Sequence, residues 1–204
     1  MLKIVTSESV NIGHPDKTCD TIADSFLDEA LKQDPRAQMA VECAIKNDKL
    51  FVYGEATTTA VLDYAQIAKT TLKEIGYENE FDVVVEVSRQ SPDINQAVEK
   101  KEVMANDQGI VYGYATNETA EFMPLPIIIA HKLMKIYDDY RRITKCYFAD
   151  AKSQVSVCYD DNKPTHVETI VVSVSHTEEL DHETIFNDIK SNIYFNTFNN
   201  TMFE

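Results

Sequence analysis

The sequence predicts an α+β fold in which helices pack on one face of repeated antiparallel sheets. Two observations carry that expectation. A hairpin followed by a helix occurs twice along the chain, and a buried strand at Val83 to Val87 lies between the two occurrences.

The start, Met1-Leu2-Lys3-Ile4-Val5-Thr6-Ser7-Glu8, reads as a first strand, because its apolar stretch is too short for a secretory signal. Residues 16 to 33 form the clearest helix. Cys19, Ile22, Ala23, Phe26, Leu27, Ala30 and Leu31 recur at helical spacing, and Pro35 ends the pattern. Met39 to Ile45 and Leu50 to Tyr53 read as a hairpin around Lys46-Asn47-Asp48-Lys49. An amphipathic helix from about Leu62 to Ile75 follows, with Gly76 as its C-terminal cap.

Residues 88 to 118 are polar, and a segment of that length inside a compact domain is functional or disordered. A helix is expected to begin through Pro124 and Pro126 and to run from Ile127 to Tyr140. Gln154 to Tyr159 and Val167 to Ser175 alternate as strands around Asp160-Asp161-Asn162-Lys163-Pro164, and a helical stretch starts at Asp181.

Composition excludes several classes. The 204 residues carry a formal net charge of −15, which argues against nucleic acid or an anionic membrane as main partner. No apolar run approaches the roughly 20 residues of a membrane helix, so a cytoplasmic protein is expected. Cys19, Cys43, Cys146 and Cys158 form no C-x-x-C pair. They read as small buried apolar residues rather than a zinc site or a disulfide framework.

The stretch "TSESVNIGHPDK", residues 6 to 17, gathers the first chemistry. With only five Gly in the chain, Gly13-His14-Pro15 reads as a bend that needs its particular backbone. Asp16 at a helix start, beside His14 and Lys17, suits an anion and a metal. Helix N-termini favour phosphate, and one carboxylate can anchor Mg²⁺ already held by phosphates. His14 as a purely structural residue is the alternative.

Glu42 lies in an apolar strand. If the hairpin turns at Asp48-Lys49, Glu42 faces Glu55, and either a cation joins them, one protonates, or both point to solvent. Asp150 and Lys152 precede a strand in "ADAKSQ". Asp107-Gln108-Gly109 with Gly113 could let backbone approach a ligand. No phosphate loop, dinucleotide fingerprint or nucleophile elbow is present, so phosphate handling would rest on Lys152, His14 and metal.

"TSESVNIGHPDK", "QSPDINQ", "DQGIVYGYATNE", "MPLPI" and "DAKSQV" follow one another as they do in methionine adenosyltransferase, or S-adenosylmethionine synthetase. The resemblance spans about residues 3 to 185. It implies a fold of three similar α+β domains woven from discontinuous segments. Residues 1–12 with 120–190 would form an N-terminal-type domain and 13–88 part of a central one. Residues 89–119 would form a mobile active-site loop and the start of a third domain, and 191–204 an atypical tail.

The resemblance also implies a reaction, in which methionine sulfur attacks C5′ of ATP, displaces tripolyphosphate, and the tripolyphosphate is hydrolysed. His14 would contact the phosphate chain near the breaking bond, with Asp150 and Lys152 also binding ATP and Lys152 counted as catalytic. Glu55, Gln90 and Asp107 would hold L-methionine, Asp16 would hold Mg²⁺ and Glu42 K⁺. A homodimer or tetramer is implied, or pairing with a second-half chain.

The chain departs from the family pattern in length. The family's second half carries a "GDxGLTGRK"-type loop and further lysines that grip tripolyphosphate, and these residues are absent here. Because electrostatic clamping supplies much of such catalysis, little or no activity is expected of this polypeptide alone. Sheet edges should be left unpaired and apolar surface exposed.

Asn106 stands where a glycine is usual, and Tyr147-Phe148-Ala149 replaces the usual Arg-Pro before Asp150. Beyond about Ile193 the family pattern is no longer visible. That stretch is either a terminal helix with Phe195, Phe198 and Met202 on one face or, the favoured reading, the product of an interrupted reading frame. A noncatalytic interaction fragment and a nonfunctional remnant are the competing functional readings.

Overall fold

The computed structural model describes residues 2–89 and 109–198. In chain order its elements are β1 (Lys3–Val10), α1 (Pro15–Gln33), β2 (Gln38–Lys46), β3 (Lys49–Thr57), α2 (Tyr64–Ile75), β4 (Asp82–Arg89) and α3 (Leu125–Ile143). These are followed by β5 (Tyr147–Asp160), β6 (Lys163–His176), α4 (His182–Ile189), a π-helical segment (Lys190–Tyr194) and α5 (Phe195–Phe198). The fold is α+β and divides into two compact units, Met1–His14 with Gly113–Glu204, and Pro15–Tyr112.

The first unit is built on a sheet of order β1-β5-β6, antiparallel throughout. In β5 the period of two is nearly ideal. Tyr147, Ala149, Ala151, Ser153, Val155, Val157 and Tyr159 are buried, while the residues between them face outward. The inward set packs on Leu125, Ile129, Leu133, Met134 and Tyr137 of α3. The β5–β6 hairpin closes through Asp161 and Asn162, whose positive φ angles of 46° and 63° suit the mirror-image turns that match strand twist.

The tail of this unit is folded onto it as far as it is described. Ile193 is fully buried in the core and Phe198 packs against the same cluster. Phe195 instead stands 44% exposed, so Phe195 and Phe198 do not share a buried face, and Met202 lies outside the described residues.

The second unit carries a sheet of order β2-β3-β4, with α1 and α2 supplying Ile22, Phe26, Ala68 and Leu72 to a core that includes Leu50 and Val52. Helix α2 starts at Asp63, whose side chain accepts from the Gln66 amide. It ends at Gly76, where φ is 110°.

Three expectations are corrected in this unit. Strand β4 pairs in parallel with β3, because α2 returns the chain in the same direction before β4 begins. As an edge strand β4 is not buried: Val83 and Val87 are half-buried, and Val84 and Val85 are 47% and 38% exposed. The β2–β3 turn is Asn47-Asp48, with Asn47 at φ 56°, so Glu42 pairs with Tyr53 and Glu55 with Ala40. In both units together, the four cysteines are only half-buried, more open than the buried apolar residues expected.

Candidate active site

Strand β1 does not stop pairing at Val10. The Asn11 amide donates to the Ala151 carbonyl at 2.8 Å and the Gly13 amide to the Ala149 carbonyl at 3.2 Å, carrying the chain to His14 along β5. Buried Asn11 fixes this extension to the helix behind it. Its Nδ2 donates to the Ala149 carbonyl at 2.8 Å and to Asp138 Oδ1 at 3.1 Å. Burial alone would raise the pKa of Asp138, but bonds from Arg142, Arg141 and Asn11 outweigh it and hold the carboxyl below its usual range.

Gly13 is needed for close approach. A Cβ there would lie 2.3 Å from the Ala149 Cβ and 2.5 Å from its carbonyl carbon, so no larger residue fits without moving a strand. The bend expected at Gly13-His14-Pro15 is thus a seat against Ala149, with half-buried His14 immediately following.

Alternation on β5 puts Asp150 and Lys152 on the outward face of the sheet. Burial pushes the Asp150 carboxyl above its ordinary range while the charge of nearby His14 works the other way, which brings these two groups into one electrostatic neighbourhood. Lys152 Nζ lies 2.6 Å from Glu8 Oε2, and Gln154 Nε2 donates to the other Glu8 oxygen at 2.7 Å. The bond from Lys152 and then that from Gln154 lower the Glu8 pKa. The sequence reading did not single out Glu8, Asn11 or Asp138. Strand pairing brings Glu8 to Lys152, and no local spacing signals it.

Asp16, Glu42 and Glu55 belong to the other unit. Asp16 is exposed in the first turn of α1. Glu42 is exposed and Glu55 half-buried, both on the outward face of β2 and β3. Half-buried Cys19 senses this surface. Its thiol pKa is raised by burial first and then by the fields of Asp16, Asp20 and Glu42, against an opposing bond from the Ile45 backbone.

Asp16, Asp20 and Glu42 thus lie close to one another around Cys19, carboxylates of the kind that can hold a cation. One exposed carboxylate suffices for Mg²⁺ that is otherwise held by phosphates and water. Gln90 and Asp107 lie outside the described residues. A Cβ on Gly109 or Gly113 would meet nothing within 4 Å.

Comparison with known proteins says to which family these α+β layers belong. The S-adenosylmethionine synthetase N-terminal domain matches residues 3–103 and the central domain of the same enzyme matches residues 102–204. The second match includes the stretch after Ile193.

The S-adenosylmethionine synthase of Akkermansia muciniphila is 43% identical over 206 residues, covering 90% of this chain and 52% of the relative. That of Mesoplasma florum is 42% identical over 205 residues, covering 95% and 54%. The one from Prochlorococcus marinus is 40% identical over 210 residues, covering 93% and 51%. The chain belongs to the S-adenosylmethionine synthetase family, a family of transferases, and spans about half the length of the curated relatives it matches.

Proposed function

We propose that this chain supplies part of a methionine adenosyltransferase site, for the reaction of ATP, L-methionine and water to S-adenosylmethionine, phosphate and diphosphate. The observation that carries the reading is Asp150, which shares an outward strand face with Lys152 and lies near His14, on a loop seated by Gly13 and Asn11. A leaving tripolyphosphate needs donors aimed where charge develops, and in this reading His14 and Lys152 take that role.

In this reading Lys152 exchanges its Glu8 partner for a phosphate oxygen. Glu55, Gln90 and Asp107 orient the methionine amino acid group, which places sulfur in line with C5′. Asp16 would hold Mg²⁺ and Glu42 would hold K⁺, cations whose charge offsets that of phosphate. The 204 residues alone would turn over little, because the clamp carried by the family's second half is not among them. The working enzyme would be a cytoplasmic homodimer or tetramer, or a pairing with a second-half chain.

A noncatalytic partner role is the second reading, and exposed apolar groups favour it. On the outward face of the second unit's sheet, Phe51, Tyr53 and Val84 are 41%, 39% and 47% exposed, and Phe51 stacks on Tyr53 at 5.2 Å. Such a face suits another subunit. The two readings separate on product formation with a second-half polypeptide added: synthesis that fails in His14→Ala supports the transferase, and binding without synthesis supports the partner role.

A further inference from the structure

The β5–β6 hairpin carries a group of side chains that the adenosyl-transfer chemistry does not use. Cys158 on β5 and His166 and Glu168 on β6 present a thiol, an imidazole nitrogen and a carboxylate oxygen all within 4.8 Å of one another. Among the described residues it is the one cluster of three or more His, Cys, Asp or Glu groups with that spacing.

Two irregularities in the ladder build it. Ser156 pairs with Thr169 and Val157 with Val167, so Glu168 is an extra residue. Cys158 then pairs with His166 and Tyr159 with Pro164, so Thr165 is another. Bulges of this kind re-aim side chains and bend the strand. Here they bring Glu168 alongside the Cys158 and His166 pair.

The spacings suit a tetrahedral ion. Glu168 Oε2 lies 3.6 Å from Cys158 Sγ and 3.2 Å from His166 Nε2. Metal–sulfur, metal–nitrogen and metal–oxygen lengths of about 2.3, 2.0 and 2.0 Å at tetrahedral angles require edges of about 3.5 Å for sulfur to oxygen and about 3.3 Å for nitrogen to oxygen. Both observed edges match. The sulfur-to-nitrogen edge is at most 4.8 Å, which a rotation of the half-buried Cys158 and the exposed His166 side chains can close.

Hydrogen bonding also orients the imidazole. The Thr165 hydroxyl donates its single proton to the Cys158 carbonyl at 3.0 Å, so toward His166 Nδ1, 3.2 Å away, it can only accept. Nδ1 therefore carries hydrogen, and in the neutral ring the lone pair sits on Nε2, facing the Glu168 oxygen. Two lone pairs at that distance repel unless a proton or a metal ion lies between them. A second hydrogen bond that fixes the tautomer of a ligating histidine is a usual feature of metal sites.

We propose that Cys158, His166 and Glu168 form a site for a thiolate-accepting divalent transition metal of the zinc class, with the fourth position open to water or an external ligand. Binding forms a metal–sulfur bond and releases the thiol proton to solvent, with no change of oxidation state. Magnesium, which demands oxygen ligands in octahedral array, would not occupy it.

Cobalt(II) titration of the full chain tests this. The expected result is one ion per chain with a sulfur-to-cobalt charge-transfer band, which Zn²⁺ displaces and excess Mg²⁺ does not. Cys158→Ser should abolish the band. His166→Ala and Glu168→Gln should each weaken binding by more than the roughly 10–100-fold that loss of an outer-shell partner costs, and Asp16→Asn should leave it intact. Circular dichroism checks that the variants fold, which a half-buried Cys158 and exposed His166 and Glu168 should allow. Absence of a thiolate band in the parent chain, or an unchanged band in Cys158→Ser, would overturn the proposal.

Discussion

Lys152 and Glu8 form an ion pair across neighbouring strands, with Nζ 2.6 Å from Oε2. The lysine that the transferase reading assigns to ATP thus already has a partner, and any phosphate must displace that carboxylate. Lys152→Met is expected to weaken ATP or tripolyphosphate binding by about tenfold or more. Glu8→Gln should tighten it, but within about fivefold, since exposed pairs contribute at most about 1 kcal/mol. Isothermal titration of both variants decides; weaker binding in Glu8→Gln would make Glu8 a positioning group for the lysine.

Gly13→Ala should disturb the fold around His14. The added carbon meets Ala149 at 2.3 Å, and overpacking of this kind costs about 1–3 kcal/mol. The expected signs are a lower urea midpoint and faster amide exchange at Asn11 and Gly13, whose amides bond to β5. An unchanged midpoint would mean the seat against Ala149 is loose.

Asp34 gives the second unit an acid dependence. Bonds from the Thr59 and Arg36 amides and then the Thr58 hydroxyl hold its carboxyl at about 2. The unfolded value is about 3.9. A depressed folded value stabilises above the unfolded pKa, and that contribution is lost as pH falls from about 4 toward 2. Asp34→Asn should flatten this part of a stability-versus-pH curve; an unaltered slope would contradict the assignment.

Ile193→Ala tests whether the tail belongs to the fold. The side chain is fully buried in the first unit's core, and removing it should cost about 2–5 kcal/mol. A loss below about 0.5 kcal/mol, the level of ordinary surface substitutions, would mean the segment after α4 contributes nothing.

Local signals in the sequence were legible where local physics decides. Helices α1 and α2, the Gly76 cap and both hairpins follow from apolar period, capping and turn residues. Pairing across strands was less so. Moving the β2–β3 turn by a single residue, to Asn47-Asp48, shifts every partner by two places. Glu42 and Glu55 therefore keep a common face but are not opposite one another. The parallel course of β4 depends on a crossover that no pattern within Val83 to Val87 reports.

The site was legible in the same uneven way. Asp150 and Lys152 could be named from a motif, but their neighbours could not. Glu8 meets Lys152 only through the β1–β5 register, and Asn11 meets Asp138 only once α3 packs behind β1. Cys158, His166 and Glu168 converge because two bulges lie in β6, and residue spacing alone carries no sign of either.

Product formation separates half an enzyme from a noncatalytic chain. S-adenosylmethionine would be measured from ATP, methionine, Mg²⁺ and K⁺, using the chain alone, the chain with a family second-half polypeptide, and the same mixture with His14→Ala. No product is expected from the chain alone, synthesis is expected in the mixture, and His14→Ala should abolish it. Synthesis by the chain alone, a silent mixture, or full activity in His14→Ala would contradict the proposed function.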